Sequence, residues 1–234
     1  MEKVVLLLRG SGAVGDDAWC DRIRGPVAAQ LLELDLAGVS IGVRDAAVRG
    51  SLMTLTTLDP PVQAVVNLWT QQHFGPAVQA AIEVLAGESE SVAGYLVTES
   101  APLPPPQPLG ERTPGLCNVA LLRRPAELPV EEWRRRWQLG HTQVAIDTQA
   151  TFGYVQNAVV RPLTPQAPEL AAIVEELFPI EAVGDLMAFF GAADEADLND
   201  RLGKMVASTS AFGANQNIDT VPTSRYVLRS PFHR

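Results

Sequence analysis

The sequence predicts an α+β protein made of two tandem βαββαβ units, whose antiparallel sheets meet face to face within one chain. Three observations carry this reading. Strand-like and helix-like segments alternate in the same order in both halves. A run of six prolines and two glycines, APLPPPQPLGERTPG at 101–115, separates the halves. The halves also align by eye at a fixed offset: Arg9 with Arg123, Trp19 with Trp133 and Ser40 with Tyr154 are each 114 apart (123 − 9, 133 − 19, 154 − 40). Further on, AVVNLW at 64–69 aligns with AVGDLM at 182–187, and Tyr95 with Tyr226, as loop insertions would allow.

In the first half, Val4–Arg9 is β-branched and leucine-rich and stops at Gly10, Ser11 and Gly12, so it reads as a strand. Asp16 and Asp17 open a helix to Leu34, with Trp19, Ile23, Val27 and Leu31 on one stripe and a kink at Pro26. Gly38–Asp45 is a strand, Ser51–Leu58 an extended segment and Val62–Trp69 an apolar strand. Pro76–Leu85 is a helix stopped by Gly87, and Val92–Glu99 closes the unit as a strand. In the second half, 117–124 reads as a strand, Glu195–Ser208 as a helix and Ser224–Arg229 as the last strand. Between them come a helix at 129–146, a strand at 152–160, an inserted helix around Glu169–Phe178 and a strand at Val183–Phe190. Each half is thus a ferredoxin-like unit with helices on one sheet face, and its twin is the natural cover for the bare face. The expected boundaries are 1–103 for a degenerate N-terminal unit, 104–115 for the linker and 116–234 for the C-terminal unit.

An apolar content of 47% in 234 residues suits a folded chain that needs neither disulfide nor metal for stability. A net charge of −9 argues against nucleic acid or an anionic membrane as partner. Cys20 and Cys117 form no disulfide framework or zinc spacing and read as small buried residues in a reducing cytoplasm. The five-residue apolar run before Arg9 is too short for a leader or a membrane span. GSGAVG lacks the lysine and hydroxyl of a phosphate loop.

The most informative stretch is 118–157. Pro129 suits a first helical position, and Glu131 and Glu132 complement the helix dipole. Val130, Trp133, Trp137, Gly140, His141 and Val144 then share one face, which must be buried. On the following strand Tyr154 and Gln156 share a face and Asn157 takes the other. His141 is either a satisfied core histidine or a general acid/base, because an imidazole works near neutral pH. Trp133 and Trp137 are core or a platform for a ligand. Asn157 is conspicuous in a strand, where its amide needs a partner. Asp185, inside AVGDLMAFF, faces the barrel seam, pairs with an arginine such as Arg123, or lines a pocket. Asp147 and Asp185 are candidates to orient His141. At the 114 offset His141 falls on Val27, so any site is expected once per chain, in the C-terminal half.

The motifs at Leu121–Pro125, Glu131–His141 and Gly153–Asn157 resemble the EthD family of the dimeric α+β-barrel superfamily, over about 116–229. The resemblance implies an α+β barrel, here within one chain, and a pocket between helix and sheet. It also implies a cofactor-independent lyase, isomerase or oxygenase acting on an apolar cyclic or polyketide-like molecule. In that reading His141, Asp185 and Tyr154 are catalytic, and Trp133, Trp137, Asn157 and Phe189 bind substrate, with no metal and no cofactor. The alternatives are a non-catalytic accessory or small-molecule-binding protein of an oxidative degradation pathway, and a haem protein with His141 as axial ligand. A monomer or a homodimer of pseudo-dimers is expected.

Overall fold

The computed structural model describes residues 1–232; His233 and Arg234, the end of the unit expected over 116–234, lie outside them. Eight strands run antiparallel: β1 (Glu2–Arg9), β2 (Gly38–Val43), β3 (Val62–Thr70), β4 (Ser91–Leu103), β5 (Leu116–Leu122), β6 (Gly153–Pro162), β7 (Ala172–Phe178) and β8 (Asp219–Arg229). They close a barrel in the order β1-β3-β2-β8-β5-β7-β6-β4. Around this ring, β4-β1-β3-β2 from the first half precede β8-β5-β7-β6 from the second, so both halves use one internal order. Two ladders, β2 with β8 and β4 with β6, join the sheets edge to edge. The outer edges of both sheets are therefore consumed in closure, which is how barrels remove unpaired backbone.

The strands read as nearly continuous apolar runs because both faces are covered. On β1, Val5 and Leu7 point into the barrel with Val119, Leu121, Ile173 and Val221. Val4, Leu6 and Leu8 point outward under the N-terminal helices. Those helices are α1 (Asp17–Arg22), a π-helical segment (Ile23–Val27), α2 (Ala28–Leu32) and α3 (Pro76–Ala86). Asp16 caps α1 by accepting from the Trp19 amide. Pro26 lies inside the π-helical segment, so the kink expected there is a widened turn. The C-terminal layer has the same device without a proline: α4 (Val130–Arg134), a π-helical segment (Arg135–His141) and α5 (Thr142–Thr148). A 3₁₀ turn (Ile180–Val183), α6 (Leu186–Phe190) and α7 (Glu195–Ser210) complete this layer.

Two expectations fail here. Residues 172–178 form β7, not a helix, and 183–190 hold the end of a 3₁₀ turn and the short helix Leu186–Phe190, not a strand. In β7 the adjacent Glu175 and Glu176 look like a helix surface, but each occupies one face of a strand buried on both sides. Asp185 is the N-cap of α6, and Gly191, at φ 61°, ends it in the left-handed region. The pairing of AVGDLM with AVVNLW therefore falls. The ladders set Asn67 opposite Val5 and Glu175 opposite Val119, so Asn67 and Glu175 are topological counterparts. Likewise Ser40 corresponds to Val155 rather than Tyr154, and Tyr95 to Val221 rather than Tyr226.

Residues 104–115 lie between β4 and β5 and run beside β8. The Gly110 and Thr113 amides donate to the Val227 and Arg225 carbonyls, each at 2.8 Å. Cys20 and Cys117 are both buried thiols.

Candidate functional site

Four of the expected site residues share the layer between the C-terminal helices and the sheet. Trp133, Trp137 and Tyr154 belong to one buried cluster with Phe212. The two indole rings lie 5.1 Å apart, and Phe212 packs 5.0 Å from the His141 ring. The π-helical turn ends at His141, whose Nδ1 is hydrogen-bonded to Ser208 Oγ on α7 at 2.9 Å. Burial lowers the imidazole pKa to about 4, so it is neutral at neutral pH. Burial also raises the Tyr154 phenol well above its usual range; Glu176 adds to this, while Gln156 and Trp137 oppose it.

The remaining expected residues sit elsewhere. Asn157 points into the barrel, where its Nδ2 donates to Glu175 Oε1 at 3.1 Å. Asp185 is exposed and accepts from the Met187 amide at 2.7 Å as a helix cap, so it neither orients His141 nor pairs with Arg123. Arg123 instead pairs with Asp219 at 2.8 Å. Phe189 stacks on Phe178 at 4.1 Å in a separate aromatic cluster. Asp147 accepts from Gln143 at 2.7 Å on the surface of α5.

Glu176 was not anticipated. It lies on the helix-facing side of β7, between Asn118 of β5 and Tyr154 of β6 in the ladder. The three make a polar row across the sheet; Gln156, on the same face, is satisfied by Thr142 of α5 at 2.6 Å. Glu176 is buried, makes no hydrogen bond or ion pair among the described residues, and has its pKa pushed up to about 7 by burial. Nearby buried groups are also unpartnered: the indole N–H of Trp133, the indole N–H of Trp137 and the Asn118 Oδ1. The signal was present in the sequence. Two successive glutamates in a seven-residue apolar strand must place one of them on the helix side.

The N-terminal half is an internal control. Offsets of 114, 108 and 115 (118 − 4, 176 − 68, 154 − 39) put Val4, Leu68 and Val39 where the other half has Asn118, Glu176 and Tyr154. All three are fully buried in an apolar cluster. Val27, the counterpart of His141, is in that cluster too. Trp19, the counterpart of Trp133, has its indole N–H satisfied by the Glu88 carbonyl at 2.6 Å. This fold therefore packs well without any of the polar groups that the C-terminal half gathers.

Outside this layer, a groove of about 710 Å³ runs between the helix of residues 130–148 and α7. Ser208 forms part of its lining, so a single side chain separates the groove from the His141 ring. His141 itself is not in the lining of this groove. Among the described residues no group of three or more His, Cys, Asp or Glu side chains is arranged to hold a metal ion. Nor is any helix among them long and apolar enough to cross a membrane.

No protein-family model matches the chain, and no curated protein sequence does. Solved structures do. An anthrone oxidase-like protein superposes with a TM-score of 0.55 at 10% identity, over 99% of this chain and 94% of that one. Candidate monooxygenases from Lactobacillus acidophilus and Fusobacterium nucleatum give TM-scores of 0.47 and 0.49, each at 7% identity. They cover 97% of this chain and 95% and 92% of their own. At 10% identity the anthrone oxidase-like protein shares the fold, an eight-stranded antiparallel α+β barrel.

Proposed function

We propose that this chain is a cofactor-independent enzyme that moves protons on a small apolar ring compound bearing a carbonyl, in the C-terminal helix–sheet layer. The observation that carries this is the polar row Asn118–Glu176–Tyr154, set against Val4–Leu68–Val39 in the other half. Holding an unpaired Glu176 at about 7 instead of 4.5 costs on the order of 3 kcal/mol at neutral pH, and the fold does not require it. Such a pKa matches a general base working near neutrality. In this reading the Glu176 carboxylate takes a proton from carbon beside the substrate carbonyl. The electron pair moves to the carbonyl oxygen, which accepts hydrogen bonds from the Tyr154 hydroxyl and the unpartnered indole N–H groups. Returning the proton to a different carbon completes an isomerisation; the same enolate is the starting point for elimination or oxygenation. His141, neutral at this pH, serves as a hydrogen-bonding partner that links the layer to the groove through Ser208. The EthD assignment of residues 116–229, and with it the lyase, isomerase or oxygenase classes, belongs to this proposal.

A second reading, a non-catalytic carrier or accessory protein, has its own support. His141 does not line the 710 Å³ groove beside it and, with its pKa held at about 4 by burial, is not poised to titrate near pH 7. The two separate experimentally. Anthrone-type ring ketones are the first substrates to try, given the name of the structural neighbour. Their absorbance would be followed with the parent protein and with Glu176→Gln. We expect turnover by the parent and a loss of about 10²–10⁴ in kcat for Glu176→Gln, the usual worth of a general base. Binding without turnover supports the carrier; turnover untouched by Glu176→Gln removes the proposed mechanism.

A further inference from the structure

The barrel interior, on the opposite face of the same sheets, is polar at the end where β1 begins. Lys3 Nζ reaches Glu99 Oε1 at 2.8 Å and Glu175 Oε1 at 3.2 Å. Trp69 Nε1 donates to Glu99 Oε2 at 2.8 Å, and Asn67 and Asn157 each donate to Glu175 at 3.1 Å. Both carboxylates are thereby engaged at both oxygens, and Lys3 is shared between them.

Arg225 is different. It is 7% exposed, yet no carboxylate lies within ion-pair distance of it among the described residues. Its Nη1 meets only neutral oxygens, Pro106 O at 3.2 Å and Thr113 Oγ1 at 3.4 Å, and its Nε and Nη2 edge makes no hydrogen bond to the described residues. A cavity of about 440 Å³ opens at this mouth, with Arg225 in its lining beside Trp69, Phe232 and Val155. Trp69 and Phe232 meet edge to face, 6.3 Å apart, as an aromatic wall. Burial raises the Glu175 carboxyl, but Lys3 and then Arg225 outweigh it and hold it below its usual range, so Arg225 has Glu175 as a neighbouring charge without touching it. Its Nε–Nη2 edge, free of hydrogen bonds to the described residues, has the spacing of a carboxylate.

We infer that the barrel mouth is a second binding site, for a small aromatic carboxylate seated on the Nε–Nη2 edge of Arg225 with its ring against Trp69 and Phe232. Glu99 and Glu175 also face the cavity, but both oxygens of each already accept hydrogen bonds from other groups, which leaves the Nε–Nη2 edge of Arg225 without an acceptor. The site shares no residue with the helix–sheet layer, so it stands or falls apart from the proposed activity.

Benzoate is a sufficient probe. In ¹⁵N-labelled parent protein, with the Trp69 indole resonance assigned through Trp69→Phe, benzoate should shift that resonance saturably and leave those of Trp133 and Trp137 in place. Benzylamine, the charge-reversed analogue, should produce no saturable shift. Arg225→Gln should weaken benzoate at least tenfold. If that variant does not fold, the titrations of the parent decide alone. No saturable shift of Trp69, equal binding of benzylamine, or unchanged affinity in a folded Arg225→Gln would each overturn the site.

Discussion

Glu176 and His141 sit in one buried layer and are moved in opposite directions by one cause. Burial disfavours the charged form of each, which lowers the histidine from 6.5 to about 4 and raises the glutamate from 4.5 to about 7. The consequences for stability have opposite signs. Unfolded His141 takes up a proton that the folded chain refuses, so its contribution is complete above pH 6.5 and is lost as pH falls toward 4. Folded Glu176 keeps a proton that the unfolded chain releases, so its contribution is complete below pH 4.5 and is lost as pH rises through 7. Between 4.5 and 6.5 the two slopes offset each other. Removing one side chain should uncover the other. On going from pH 7 to pH 5, His141→Gln should gain ~2 kcal/mol relative to the parent and Glu176→Gln should lose ~2 kcal/mol. Urea denaturation at the two pH values measures both. Equal pH dependence in all three proteins would mean that neither group is held as described. Turnover adds an independent check: if Glu176 is the base, kcat/KM rises with pH and levels off above about 7.

The helices that cover this layer were legible in part, and the misreadings have local causes. The segment 183–190 carries enough apolar residues to pass for a buried strand, and only the Asp185 cap and Gly191 mark it as a short helix. Helix α7 was easier to find, since Asp194 caps it and Asp197–Arg201 and Asp200–Lys204 pair along its surface. Two of its neighbouring glycines allow a matched test. Gly203 is exposed within α7, and a Cβ added there meets nothing within 4 Å. Gly203→Ala should therefore stabilise by about 0.5–1 kcal/mol. Gly191 has φ 61°, and its Cβ would stand 3.3 Å from that of Ala150. There the same substitution should destabilise by about 1 kcal/mol or more. Thermal melts of the two variants give the comparison, and shifts of the same sign would contradict the assigned end of α6.

Closure of the barrel determines how the whole chain should respond to cutting and to concentration. The halves are held by the β2–β8 and β4–β6 ladders, not by residues 104–115. Within that segment Leu109 and Gly110 are exposed, whereas Thr113 is buried. Limited proteolysis should cut first near 109–111, and the two fragments should still elute together from a sizing column. Early cuts within 129–146, or separation of the fragments, would show that the ladders do not hold the molecule. With no strand edge left open among the described strands, light scattering should give the mass of one chain. A dimer would have to use helix surfaces, where Leu139 and Val206 are the exposed apolar candidates.

Local chemistry in the sequence was enough to determine the elements of the first half, the proline-rich junction and the buried face that holds Trp133, Trp137 and His141. Periodicity, caps and turn residues act over a few positions and survive without the rest of the chain. Strand register is a different matter, because a slip of one residue moves every side chain to the other face. A fixed offset matches Tyr154 to inward-facing Ser40, whereas the ladders make outward-facing Val39 its counterpart: Tyr154 lies opposite Glu176 as Val39 lies opposite Leu68. Asn157, on the strand face opposite Tyr154, is separated from His141 by the sheet. Glu176 and Arg225 gain their meaning only in three dimensions. Whether a charged side chain is solvated, paired or buried alone depends on which strands close around it, and that is decided when the ring of eight is complete.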